Sequence, residues 1–102
     1  MIVTVFRWRL KPGALDQFSR SWEQVTRHYL ERGSLGSAIF QDGGGVVWAI
    51  ARWPDEATRD AAFADPAPDA LRAGMIEGVE ERLEPVELAC LSDLWSGPSS
   101  PR

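Results

Sequence analysis

Asp42-Gly43-Gly44-Gly45-Val46-Val47-Trp48-Ala49-Ile50-Ala51-Arg52-Trp53 is the stretch from which the fold can be read. Glycine accepts positive φ without steric cost, so residues 42–45 are expected to form a hairpin turn. The strand after it, residues 46–53, is apolar on both sides. Val46, Trp48 and Ile50 point one way, and Val47, Ala49, Ala51 and Trp53 the other. A strand lying in a half-solvated sheet alternates apolar with polar residues; this one expects cover on both faces.

Outward from the hairpin, residues 35–41 make the partner strand. Downstream, Pro54 ends the second strand and Asp55 is placed to cap a helix over residues 56–64. Asp65-Pro66-Ala67-Pro68-Asp69 breaks that helix, and Asp69 can cap another running to about residue 82, weakened by Gly74 and Gly78. A last strand is expected over residues 86–95. Upstream, Leu15, Phe18, Trp22, Val25 and Tyr29 recur at spacings of 3, 4, 3 and 4, the apolar stripe of an amphipathic helix. Arg32 and Gly33 suit its C-terminal stop. Residues 2–10 read as a first strand, again apolar on both faces at its start, closed by the turn Lys11-Pro12-Gly13.

The order strand, helix, strand, strand, helix pair, strand is the split βαβ, ferredoxin-like plan. It is an α+β fold with a four-stranded antiparallel sheet and helices on one face. Helices cover only one side of such a sheet, so the other apolar face calls for a partner. A second copy packed sheet to sheet is the simplest cover. The chain has 102 residues, the size of one domain, expected over residues 1–95 with a flexible tail at 96–102.

Composition excludes several function classes. The net charge of −4 is the wrong sign for a protein that lives on phosphate backbones or anionic membranes. The third strand also lacks the glycine-aromatic pattern by which RNA-recognition modules of the same element order stack bases, so no nucleic-acid partner is expected. No stretch has the ~18 apolar residues of a membrane span. The start of the chain meets Arg7 and Arg9 too early for a secretory leader, so the cytoplasm is the default compartment. One histidine, His28, and one cysteine, Cys90, cannot build a four-ligand Cys/His zinc site or a two-His iron site, and no metal is expected. Gly43-Gly44-Gly45 leads into a strand and cradles no phosphate. Glu77, Glu80, Glu81 and Glu84 read as a solvated face.

Five tryptophans, Trp8, Trp22, Trp48, Trp53 and Trp95, are many for so short a chain. They either fill the core or line a cavity or an interface. His28 lies about 90° around the helix from the centre of the apolar stripe, at the border between core and water. Histidine is the residue type that titrates near neutrality, which makes His28 the first candidate for a general base.

Ile2-Val3-Thr4-Val5-Phe6-Arg7-Trp8-Arg9-Leu10-Lys11-Pro12-Gly13 resembles the first strand and turn of the antibiotic biosynthesis monooxygenase-like domain. Ala51-Arg52-Trp53-Pro54-Asp55-Glu56-Ala57 resembles the end of its third strand and the start of the next helix. The resemblance extends over residues 1–95 in length and element order. It implies a homodimeric α+β barrel in which Thr4, Phe6 and Trp8 face the helices and meet Phe18, Trp22 and Tyr29, while Val3, Val5 and Arg7 face the second copy. The family includes cofactor-independent oxygenases for aromatic polyketide-like substrates, haem-degrading enzymes and quinol oxygenases. The Asn, Trp and His of the haem-degrading branch would fall near Phe6, Ala62 and Arg72, and all three are absent. The family's frequent histidine in the helix after the third strand is also missing from Arg59-Asp60-Ala61-Ala62-Phe63.

The implied function is a monooxygenase that needs no cofactor and acts on a small aromatic or quinol-type substrate between sheet and helices. His28 or Tyr29 would be its base and Trp22 or Trp48 its wall. The alternative is a non-catalytic dimer of the same fold that binds a hydrophobic ligand or serves as an interaction module. A void of ~300 Å³ or more beside His28 favours the oxygenase. Tight interdigitation of Trp8, Trp22 and Phe18 favours the alternative.

Overall fold

The computed structural model describes residues 1–95, so the expected flexible tail at 96–102 lies outside the described residues. In chain order the elements are β1 (Ile2–Leu10), α1 (Leu15–Leu30), β2 (Gly36–Gln41), β3 (Val47–Trp53), α2 (Glu56–Phe63), α3 (Asp69–Glu77), β4 (Val79–Arg82) and β5 (Val86–Ala89). Every strand pairing is antiparallel. β1 takes β3 on one edge, from Ile2↔Trp53 to Trp8↔Val47, and β2 lies outside β3. On its other edge β1 pairs with β5 through Ile2–Val5 and with β4 through Trp8–Leu10. The fold is the α+β, ferredoxin-like arrangement, with β4 and β5 sharing the fourth strand position.

That last edge corrects two expectations. The third helix stops at Glu77 rather than near residue 82, and the last strand begins at Val79 and ends at Ala89. Gly78 is the reason. A Cβ there would sit 3.0 Å from the Cβ of Ala14, tighter than ordinary contact, so glycine lets α3 lie close against the start of α1. The Gly78 carbonyl then accepts from the Lys11 N–H at 2.8 Å, and the next residues join the β1 ladder. Pairing with Trp8–Leu10 thus overrides the helical look of the Glu-rich run. Leu83 still donates its N–H to the Arg7 carbonyl at 3.0 Å, but Pro85 has no N–H to give, and the strand is interrupted. Asp69 is not a capping residue: Pro68 holds the N-cap with no side-chain hydrogen bond.

Other local readings hold. Asp55 caps α2, its Oδ1 accepting from the Thr58 N–H at 2.7 Å. Helix α1 ends at Leu30, slightly before Arg32, and the turn out of it passes through Gly33 at φ +99°. A Cβ on Gly33 would come within 2.6 Å of Thr58 Cγ2, so the end of α1 also needs that glycine to lie against α2. In the hairpin, Asp42 Oδ1 accepts from Gly44 and Val46 N–H at 2.9 and 3.0 Å, and Oδ2 from the indole N–H of Trp48 at 2.9 Å.

The sheet has two unlike faces. On the helix side, Trp8, Phe18, Val47 and Ala49 form the buried core, with Phe6, Leu10, Trp22, Ile39, Met75 and Val79 against it. On the far side lie Val3, Val5, Arg7, Trp48, Ile50 and Arg52, with Phe40, Val86 and Leu88 on the flanking strands. Phe40, Val86 and Leu88 are exposed there, although Val5 is already buried.

The fold favours the ionised form of several carboxylates. The Trp48 indole and then the Val46 amide hold Asp42 below its ordinary 3.8, and the Thr58 amide does the same for Asp55. Arg32, 2.7 Å away, lowers Asp65; Arg59 and then Glu56 lower Glu87. The stability these groups contribute is complete above their unfolded-state values and is lost as pH falls through the folded ones. Glu56, raised chiefly by Glu87, has the opposite sign and partly offsets Glu87. The thermal midpoint is therefore expected to stay level from neutrality to about pH 5 and to drop below it. Asp42→Asn combined with Asp55→Asn should flatten that drop in a melting series against pH; an unchanged slope would contradict the assignment.

Candidate active-site cavity

Two aromatic clusters line the interface between α1 and the sheet. In one, Trp8 meets Phe18 and Trp22 edge-on at 5.0 and 5.4 Å between centroids and stacks on Phe6 at 5.6 Å. In the other, Tyr29, Trp53 and Phe63 meet edge-on at 5.4–5.9 Å. The periodic stripe of α1 puts Trp22 and Tyr29 two turns apart on the same side, so each belongs to a different cluster. Between them is a cavity of about 570 Å³, lined by both clusters and closed on one side by residues of α3. That volume suits a small organic molecule.

Each candidate residue has a definite place. Phe6, Trp8, Trp22 and Tyr29 are in the cavity wall. Phe18 is fully buried behind Trp8 and Trp22 rather than in the wall. Thr4 shares the helix-facing side of β1 and is buried, its hydroxyl without a partner, but it lies outside the lining. Trp48 is on the opposite face of the sheet. Its indole N–H is held by Asp42, and the Arg7 guanidinium sits 5.3 Å above its ring. A wall role for Trp48 is therefore corrected, and Trp53, which has the other parity on β3, takes that place.

His28 is also off the lining. Its Nε2 is 3.0 Å from the Asp65 carbonyl oxygen, and its ring packs edge-on against Tyr29 at 5.0 Å. Tyr29 accepts from the Ala67 N–H at 3.2 Å, which leaves the proton of its hydroxyl available to a ligand. The tests set by the sequence thus give a divided answer. There is a void larger than required, beside Tyr29 and not His28, and the first cluster packs tightly next to it.

The wall has a polar side that the sequence reading did not anticipate. Trp22 donates its indole N–H to Ser37 Oγ at 2.9 Å, and Ser37 Oγ is 2.6 Å from Thr26 Oγ1. Arg72 and Arg82 reach the wall from α3 and β4. The pairing of Ser37 with Ala51 could have signalled the first group, since it fixes which side of β2 faces the helices. Among the described residues no cluster of His, Cys, Asp or Glu is placed to hold a metal ion, and no helix is long and apolar enough to cross a membrane.

The cavity thus lies between an antiparallel ferredoxin-like sheet and the helices that cover it, in a small α+β domain. The model of the antibiotic biosynthesis monooxygenase family matches residues 1–73, and the chain belongs to that family. Its fold is similar to that of SnoaB, a cofactor-independent oxygenase from Streptomyces nogalater, with a TM-score of 0.74 at 16% identity over 91% of this chain and 95% of that one. Rv0793 from Mycobacterium tuberculosis is similar at a TM-score of 0.69 and 18% identity, over 92% of this chain and 98% of that one. A conserved protein from Methanosarcina mazei is similar at 0.66 and 16% identity, over 84% and 88%. No curated protein sequence matches the chain.

Proposed function

We propose that this protein is a cofactor-independent monooxygenase acting on a small, flat aromatic or quinol-type substrate held between sheet and helices. The observation that carries this reading is the 570 Å³ cavity with aromatic rings, Tyr29 among them, on its walls. Membership of the family and the likeness to a cofactor-independent oxygenase support it.

In such a reaction the substrate supplies all four electrons that O₂ takes up. An acidic C–H or O–H loses its proton, and the resulting anion adds O₂ at carbon to form a hydroperoxide. Loss of the remaining hydrogen on that carbon as a proton then breaks the O–O bond, leaving a carbonyl oxygen in the product and the other oxygen in water. The protein binds, assists deprotonation and excludes water. Tyr29 is the group that touches the substrate, with His28 behind it and the Trp22–Ser37–Thr26 chain fixing the opposite wall. The apolar far face of the sheet is covered by a second copy through Val3, Val5 and Arg7, making a homodimer that works in the cytoplasm.

The test is turnover of a panel of anthrones and hydroquinones under ¹⁸O₂ with chelator present. One labelled oxygen in the product is expected; no member consumed above the buffer rate would overturn the reading. Tyr29→Phe should lower kcat by about 10²-fold or more, the range of a lost proton-transfer group. His28→Gln should lower it less, since His28 does not reach the wall; full turnover in that variant removes His28 from the mechanism. The non-catalytic reading draws on the absence of His, Asp and Glu from the described lining. It predicts binding of the same panel without oxygen uptake.

A further inference from the structure

We infer that the ligand of this cavity carries an anionic oxygen on its aromatic body and that Arg72 holds it; the inference rests on the cavity being the ligand site proposed above. The chain has a net charge of −4, yet the described lining contains two arginines, Arg72 and Arg82, and no carboxylate. The positive charge is local to the cavity and runs against the charge of the whole chain.

The hydrogen bonds point the same way. The Trp53 side chain is in the wall and 98% buried, and its indole N–H has no acceptor. Arg72 Nε is likewise buried and without a partner. Its Nη2 donates to Asp69 one helical turn away, on an almost fully exposed carboxylate. Buried donors are rarely left unmade, because each costs the desolvation of the group without return. In the same wall the hydroxyls of Thr26 and Ser37 satisfy each other and Trp22. What the described lining lacks is a carboxylate to neutralise its arginines. The guanidinium nitrogens of Arg72 that Asp69 does not take suit a carboxylate or an ionised phenolic or enolic oxygen. Arg82 is exposed and has no orphaned buried atom, so Arg72 takes the role.

The test measures binding of 2-naphthoate, 2-naphthalenemethanol and 2-naphthylmethylammonium to the intact protein by calorimetry. Naphthoate is expected to bind at least ~10-fold more tightly than the alcohol, the worth of a charge-assisted hydrogen bond, and the ammonium most weakly. Arg72→Gln should reduce the naphthoate advantage to about twofold or less, while Arg9→Gln, an exposed charge on the far end of β1, should leave it intact. Binding of 2-naphthol with proton release would admit an ionised hydroxyl as the anionic group; binding without release would confine it to carboxylates.

Alcohol and naphthoate bound equally, or an unchanged preference in Arg72→Gln, overturns the inference while the cavity reading stands. Failure of all three probes to bind overturns the cavity reading and the inference together.

Discussion

Phe18→Ala is expected to cost about 3–5 kcal/mol of folding stability, the range for emptying a fully buried phenylalanine site. Phe18 has no exposed surface. Its ring packs edge-on to Trp8 at 5.0 Å and parallel to Trp22 at 6.4 Å. Both tryptophans are rigid and branch from different elements, so neither can swing into the space left behind. Small domains hold only about 5–15 kcal/mol in total, and such a loss moves the urea midpoint far toward water. Trp8 and Trp22 also form the wall between this core and the cavity, so the variant should bind aromatic ligands more weakly at temperatures where it remains folded. A change below about 1 kcal/mol would mean that the core rearranges freely and that the packing described has little energetic weight.

Ile50→Asp is expected to convert the proposed homodimer into a monomer. Ile50 pairs with Val5 in the middle of the far face of the sheet, away from the cavity. In a two-fold assembly each substitution enters the interface twice. At ~2–3 kcal/mol for each unpaired polar group taken out of water, two of them raise the dissociation constant by roughly 10³–10⁴-fold. Sedimentation velocity reads the change directly, and near-ultraviolet circular dichroism verifies that the aromatic core stays ordered. A wild-type protein that sediments as a monomer at high concentration would contradict the dimer and leave Phe40, Val86 and Leu88 exposed in solution.

Much of the fold is legible in the chain because its strongest signals are local. The 3, 4, 3, 4 stripe of α1, the glycine-rich hairpin and the Pro54-Asp55 stop each depend on neighbours a few residues away, and each appears where the pattern places it. The end of α3 does not, because it depends on Gly78 meeting Ala14 more than sixty residues earlier in the chain. The site is less legible still. Strand β3 is apolar on both sides, so alternation alone cannot say whether Trp48 or Trp53 faces the helices; register against β1 decides it. His28 lies at the edge of its stripe and is claimed by the Asp65 carbonyl in the interhelical loop, a contact no periodicity encodes. Arg72 reads as one more charge on a short helix. Its role depends on an orphaned nitrogen and on the absence of carboxylates from the described lining, both properties of three-dimensional placement.

Ala51→Phe shows whether this cavity is where the reaction takes place. Ala51 is a small side chain in the cavity wall, opposite Thr4 and Ser37 in the sheet, and a ring there fills the space a ligand would use. Oxygen uptake with the best substrate of the anthrone and hydroquinone panel is measured for this variant and for the wild type, with sedimentation and circular dichroism verifying that assembly and fold are kept. At least a tenfold loss of kcat/KM is expected, about 1.4 kcal/mol or more of lost transition-state binding. Uptake equal to that of the wild type in a properly folded Ala51→Phe would place the chemistry somewhere other than this cavity.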